Sequence, residues 1–369
     1  MLVVTTWFPS RKFPGSGLFN LRDVELLARD HEVRVLHLIA PQLLSGEEDE
    51  YEGFSIRRVT FHLSCPATVP AAVRAIREEL RSAELLHTMA QPTLIPTRMV
   101  GVRTPFVHTE HFSMLLTPPK SRLHAAATAL LAPLFRRPTE VVAVSRALAS
   151  VIDRHRKKPS TVIGNHVMLP ENPPSGAALG RGQPIRMISV GGAVERKGPL
   201  QAVDTMIELR RRGIDASLTW VGVGPLTTEM QARAERAGAA EHFRAPGFQD
   251  PQRLSRMLLD SDLFLLPVET ETFGVAIAEA VVHGLPVVVT GTGGHEEMLA
   301  PEASRLVSER EAGPLADAVE SLLDDPARWS RARIAGDARA RFSEDARRAA
   351  YLSVYRAAAA PTSRSARGQ

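Results

Sequence analysis

Two glutamates separated by seven residues, Glu271 and Glu279, stand within DLFLLPVETETFGVAIAEAVVHGLPVVVTGTGGHEE (262–297). The pattern predicts a buried strand ending at Pro267, then a polar loop, then an apolar helix opened by Gly274. Ligands in open α/β sheets bind beyond the carboxyl ends of strands, so this loop is where a ligand belongs. The first amides of the helix point into the loop and carry the partial positive charge that suits a phosphate. Glu271 precedes the helix, and Glu279 lies about one and a half turns inside it at ~3.6 residues per turn. Two carboxylates so placed suit a grip on different parts of one ligand. They read equally well as an exposed loop residue and a satisfied helix residue, because charged side chains are usually just surface.

Other chemistries find less support. His108, Glu110 and His111 lie close together in HTEH, but alternate side chains of a strand face opposite ways, so the two histidines do not converge on a metal. No Gly-x-Gly-x-x-Gly follows the first strand. Gly222-x-Gly224 runs into Pro225 and Leu226 without a third glycine, which argues against a dinucleotide site and hydride transfer.

The elements that must position these residues alternate. Short β-branched runs and longer amphipathic segments follow one another, as in a parallel sheet with helical crossovers. The first half predicts strands at Leu2–Thr6, Glu32–Ile39, Phe54–Thr60, Leu85–Thr88, Thr104–Thr109 and Val141–Val144, with helices at Leu18–Arg29 and Ala71–Ser82. The acidic stretch Gly46–Gly53 reads as a solvated loop. Arg122–Arg137 has apolar residues at helical spacing and a basic end. It reads either as an amphipathic helix on a membrane surface or as a core helix with a basic last turn.

A second alternation begins after Pro170–Pro184, a segment broken by proline and glycine. Its strands are expected at Arg186–Val190, Ser217–Val221, Leu263–Leu266 and Pro286–Thr290. Its helices are expected at Leu200–Arg212, Thr227–Ala237, Pro251–Leu259 and Val275–His283. The chain then reads as helical from Gly313 to about Ala360, with a polar tail at 361–369.

Composition sets the outer bounds. A chain of 369 residues with 44% hydrophobic and 23% charged residues can bury large cores and is not disordered. One cysteine, Cys65, makes neither an intramolecular disulfide nor a structural zinc site, so a cytoplasmic setting is the default. A net charge of +4 with 5% aromatic residues tolerates an anionic substrate but gives no platform for stacking on nucleic acid. The start, MLVVTTWFPS, lacks the parts of a signal peptide, and no run reaches the ~18 apolar residues of a membrane span.

The spacing Glu271-x7-Glu279 inside ETFGVAIAEA resembles the E-x7-E signature of glycosyltransferase family 4, whose members are retaining enzymes of GT-B fold. The resemblance continues through VGGAVERKG (190–198), WVGVGP (220–225), APGFQD (245–250) and GTGGHEE (291–297). More loosely it takes in TTWFP (5–9), Gly15-Ser16-Gly17, HTEH (108–111), AVS (143–145) and VIGN (162–165).

The resemblance implies two Rossmann-like α/β domains with parallel sheets facing a cleft. Residues 1–165 would form an acceptor-side domain, 166–340 a nucleotide-sugar domain, and a helix at about 341–360 would cross back to the first. It implies that Glu279 holds the ribose diol, since a carboxylate can accept from both hydroxyls. Glu271 would contact the donor sugar, and backbone groups of Phe273, Gly274 and Val275 would approach sugar and diphosphate. Lys197 would be the point charge on the diphosphate, with Arg196 beside it. Gly17 would offer the glycine turn facing the diphosphate. Gly222, Gly247 and Phe248 fall in donor-binding blocks. His111 would hydrogen-bond sugar hydroxyls rather than act as a nucleophile.

The implied reaction moves a sugar from a UDP- or GDP-linked donor to a small-molecule, secondary-metabolite or glycan acceptor, with retention and with neither metal nor cofactor. A peripheral contact with the inner face of a membrane fits the same reading. One departure stands out: family members commonly carry Gly-Arg where this chain has Gly191-Gly192, so the arginine that would bind phosphate is missing. That leaves room for a nucleotide-sugar sensor or scaffold, and the shared fold leaves room for a nucleotide-sugar epimerase.

Overall fold

A computed structural model of the chain describes residues 1–10, 15–43, 50–51, 53–117, 121–172, 174, 180–325 and 329–360. The expected polar tail at 361–369, most of the acidic stretch and part of the 170–184 segment lie outside the described residues. The chain divides into two units, Met1–His166 with Glu344 onward, and Val167–Ser343.

The first unit carries an eight-stranded sheet of β1 (Leu2–Thr5), β2 (Arg34–Ile39), β3 (Glu50–Tyr51), β4 (Phe54–Thr60), β5 (Leu86–Met89), β6 (Phe106–Glu110), β7 (Glu140–Ala143) and β8 (Thr161–Val162). Their spatial order is β3-β4-β2-β1-β5-β6-β7-β8, parallel throughout except for the antiparallel β3–β4 pair. The helices in this stretch of chain are α1 (Leu18–Leu27), α2 (Val69–Glu79), α3 (Leu94–Arg98), α4 (Arg122–Leu131) and α5 (Arg146–Asp153). Strands such as LVVT of β1 are buried at every position, as in a parallel sheet covered on both faces.

The second unit has a six-stranded, wholly parallel sheet ordered β11-β10-β9-β12-β14-β16. Its strands are β9 (Ile185–Val190), β10 (Ala216–Val221), β11 (Phe243–Gly247), β12 (Leu263–Leu266), β14 (Val287–Thr290) and β16 (Ser304–Val307). Beyond its carboxyl edge, β13 (Thr270–Glu271) pairs with β15 (Thr292–Gly293) in a separate two-stranded ribbon. Helices α6 (Pro199–Arg211), α7 (Thr227–Arg236), α8 (Pro251–Leu259), α9 (Val275–Val282), α10 (Ala312–Leu323) and α11 (Arg331–Arg341) complete the unit. The order runs outward from the middle and reverses between β9 and β12, the doubly wound pattern whose switch point is a ligand crevice. Each unit is Rossmann-like.

The last helix, α12 (Glu344–Ala359), belongs to the first unit. Its side chains enter a core with Val3, Leu21, Val24, Val107 and Val142 through Tyr351, Val354 and Tyr355. The return to the first unit falls after Ser343 rather than at 341, because α11 runs on to Arg341 and stays with the second unit. Strands β11 and β16 are additions to the sequence-based expectation. Neither shows a continuous apolar run, because FRAPG and SRLV are only partly buried where they form sheet edges.

Candidate donor site

The segment from β12 to α9 has the predicted form. LFLL is buried at all four positions and ends at the edge of the sheet, and the chain then turns through the ribbon to Glu271. Gly274 is the N-cap of α9 and holds a left-handed φ of 87°, which a side chain would strain. It also lies against His295, where a β-carbon would sit 3.0 Å from that residue's own β-carbon. Val275 begins the helix, and Phe273 packs its buried ring edge-on to Phe342 at 6.0 Å between centroids. The α9 sequence VAIAEAVV is apolar apart from Glu279, which is buried one turn in.

Lys197 lies in the turn after β9. Its ammonium and the Glu271 carboxylate form an ion pair, both largely buried. The structure therefore brings together, with Glu271 three residues ahead of the Gly274 N-cap of α9, one cation and one carboxylate that are far apart in sequence. The aliphatic stem of Lys197 passes over Gly191, where a β-carbon would be 3.6 Å from it. Arg196 is exposed, and its carbonyl accepts from the Glu269 N–H at 2.8 Å.

Gly222 follows β10 and packs against the Gly191 carbonyl. Gly247 ends β11, and Phe248 beside it is 47% exposed, as is Val223 at 62%. These exposed apolar groups stand at the carboxyl ends of neighbouring strands.

Gly17 and His111 lie in the first unit. Gly17 is the left-handed N-cap of α1 and lies against the Trp7 backbone, where a β-carbon would come within 2.5 Å. Asn20 fixes that approach, donating to Thr5 Oγ1 at 2.9 Å and to the Trp7 carbonyl at 2.7 Å. His111 follows β6 and is buried, with its ring 4.8 Å from that of Phe19. Burial pushes its pKa down to about 4, against the opposing pull of Asp23 and Glu110, so the ring is neutral near pH 7.

Several roles escaped the sequence reading. Glu110 is fully buried, and its carboxylate accepts from the backbone N–H of His111 and Phe112, both at 2.8 Å, which sets the loop bearing His111. His108 faces the same way, 3.2 Å from the other oxygen of Glu110 and 2.8 Å from Thr88 Oγ1. The two-residue period of a strand already places His108 and Glu110 on one face. No comparable signal marks Asp23, which is paired with Arg347 and accepts from Tyr351 Oη at 3.1 Å across more than three hundred residues. Among the described residues, no group of three or more His, Cys, Asp or Glu is arranged to hold a metal ion.

Comparison with known proteins fixes the class. The architecture matches sucrose-phosphate synthase from Thermosynechococcus elongatus with a TM-score of 0.77, 17% identity, and 96% and 98% of the two chains covered. It also matches Anabaena HepE solved with UDP and glucose, with a TM-score of 0.73, 18% identity, and 95% and 98% covered. The fold is that of the GT-B glycosyltransferases.

Two family descriptions match in tandem, Glycosyltransferase Family 4 over residues 24–169 and Glycosyl transferases group 1 over 177–349. Together the two matches span most of the chain and mark it as a GT-B glycosyltransferase, with the family 4 description resting on the first match. Among curated proteins, a putative colanic acid biosynthesis glycosyltransferase, WcaL, of Salmonella typhimurium is 34% identical over 142 residues, 37% of this chain and 35% of the relative. The 2-deoxystreptamine glucosyltransferase of Streptomyces kanamyceticus is 32% identical over 139 residues, 37% of this chain and 36% of the relative. The chain thus spans little more than a third of the length of these curated relatives.

Proposed function

We propose that the chain is a retaining glycosyltransferase that moves a sugar from a UDP- or GDP-linked donor to an acceptor hydroxyl. The observation that carries this reading is the Lys197–Glu271 pair at the N-terminus of α9. Two opposite charges held there match a ligand that is anionic at its diphosphate and rich in hydroxyls at its sugar. Lys197 would take the diphosphate, Glu271 the sugar hydroxyls and Glu279 the ribose diol, with the amides of Phe273, Gly274 and Val275 completing the grip. HepE, which shares the fold, was solved with UDP and glucose, a ligand pair of this chemistry.

In the transfer, the bond from the anomeric carbon to the diphosphate oxygen breaks as the acceptor oxygen bonds to the same face. The leaving diphosphate takes the acceptor's proton. Such a step needs charge stabilisation on the leaving group more than a protein nucleophile. Lys197 and the helix amides supply positive charge, so chelation with EDTA is expected to leave donor binding unchanged.

Calorimetric titration with UDP, GDP, dTDP and ADP, each with and without EDTA, tests the reading. Binding of one diphosphate, lost in Lys197→Ala, is the expected result. Turnover in Glu271→Ala is expected to fall roughly 100-fold or more. Failure of all four diphosphates to bind would sink the donor-site assignment and leave the sensor or scaffold reading without a ligand as well.

A further inference from the structure

Lys197 and Glu271 come from turns that leave adjacent strands, β9 and β12. Their pairing survives only if those turns are held in register. One direct backbone bond ties them, from the Glu269 N–H to the Arg196 carbonyl at 2.8 Å. Three further bonds converge on a single side chain. Arg310, in the turn after β16, donates from Nε to the Pro267 carbonyl at 2.8 Å, from Nη2 to the Glu195 carbonyl at 2.7 Å, and from Nη1 to the Glu269 carboxylate at 2.9 Å. One planar guanidinium thus joins a point two residues before Lys197 to a point two residues before Glu271.

The surrounding packing completes the seat. Gly198, at a left-handed φ of 71°, lies against the Pro267 carbonyl so closely that a β-carbon would overlap it. That carbonyl is therefore backed by Gly198 and bonded by Arg310. Guanidinium suits the task because its donors lie in one plane at fixed angles and meet three acceptors together. An ammonium is a point charge and does not reproduce that fork. The Arg310 side chain is 23% exposed and its Glu269 partner 45%, so solvent screens their attraction and the fold depends little on it. What Arg310 fixes is local geometry.

We propose that Arg310 is the positioning residue of the donor site: without touching the donor, it sets the separation of the Lys197 ammonium and the Glu271 carboxylate by locking their two turns. This rests on the donor-site reading of that pair. The consequence is a selective loss, because misplacing a phosphate cation by about 1 Å weakens what that cation reads and little else.

The experiment compares wild type, Arg310→Ala, Arg310→Lys and Lys197→Ala, titrated with whichever of UDP, GDP, dTDP and ADP binds the wild type and with its monophosphate. Arg310→Ala is expected to lower diphosphate affinity roughly 10-fold, keep monophosphate affinity near wild type, and melt within a few degrees of it. Millimolar guanidinium is expected to restore diphosphate binding to Arg310→Ala and not to Lys197→Ala. Arg310→Lys, which keeps the charge and loses the fork, is expected to fall between Arg310→Ala and wild type. Unchanged diphosphate affinity in Arg310→Ala overturns the proposal, as does equal loss of both nucleotides or failure of guanidinium to rescue. Intact diphosphate binding in Lys197→Ala, or no binding by the wild type, overturns the donor-site reading itself and the positioning role with it.

Discussion

In the second unit the candidate donor site lies where strands end, and backbone supplies much of it: the amides opening α9, the carbonyls of Glu195 and Pro267, and glycines that let turns approach one another. In the first unit the polar groups lie inside the fold and are joined through side chains. Arg347 donates to the Gly164 carbonyl at 2.6 Å and pairs with buried Asp23, which Tyr351 also meets. Tyr355 Oη is 2.9 Å from His87 Nδ1, and the other nitrogen of that ring is 2.7 Å from Thr109 Oγ1. The contrast separates two uses of polarity. At the strand ends it ties neighbouring turns together at the carboxyl edge of the sheet, while beneath α12 it joins side chains inside the core and anchors the helix.

The largest expected effect breaks the internal network. In Asp23→Ala, Arg347 keeps its charge inside the core without its partner. Removing one member of a buried pair costs about 3–5 kcal/mol. Urea melts of the full chain are expected to show that loss in the first unit, with hydrogen exchange in the second unit unchanged. An equal loss across both units would mean that the network supports the whole chain and that the contrast is misdrawn.

Acid gives a graded version of the same comparison. Burial holds His87 down to about 3 and His37, His111 and His166 down to about 4, all from an ordinary 6.5. Between those values the unfolded chain binds protons that the folded chain refuses. The contribution is therefore whole above pH 6.5 and is lost as pH falls towards 4, by up to about 1.4 kcal/mol per pH unit for each ring. His283 and His295 of the second unit are lowered by burial in the same direction. The first unit, with four such rings, is expected to open before the second. Hydrogen exchange at pH 7 and pH 5, corrected for intrinsic rates, would count against this if both units lost protection together.

The smallest expected effect sharpens the donor site. At Gly192 a β-carbon would meet only the Val223 carbonyl oxygen, at an ordinary 3.6 Å, so a side chain fits. Gly192→Arg places a cation in the turn that carries Lys197. A several-fold gain in diphosphate affinity is expected, about 1 kcal/mol for a partly exposed charge pair. No gain in calorimetry would mean that the turn does not face the diphosphate.

These two regions also differ in how far they could be read from sequence. Both alternations of strand and helix, and the loop–glycine–helix segment around Glu271, were legible because each depends on residues a few positions apart. Periodicity and a left-handed glycine are local facts. The edge strands β11 and β16 were not, since half-exposed strands lack the continuous apolar run that marks β12 and β14. Glu110 was half legible: its spacing from His108 put both on one face, while its role as acceptor for the loop amides depends on how the chain turns after β6.

The sequence by itself determined the fold class and the strand–loop–helix form of the segment around Glu271, because hydrophobic period and short glycine-bearing motifs act over single turns and strands. Tertiary structure alone decided that Lys197 meets Glu271, that Arg310 joins their turns, and that Asp23 meets Arg347 beneath α12. Those partners are tens to hundreds of residues apart, and a charged side chain carries no mark of which distant charge the folded chain will bring beside it.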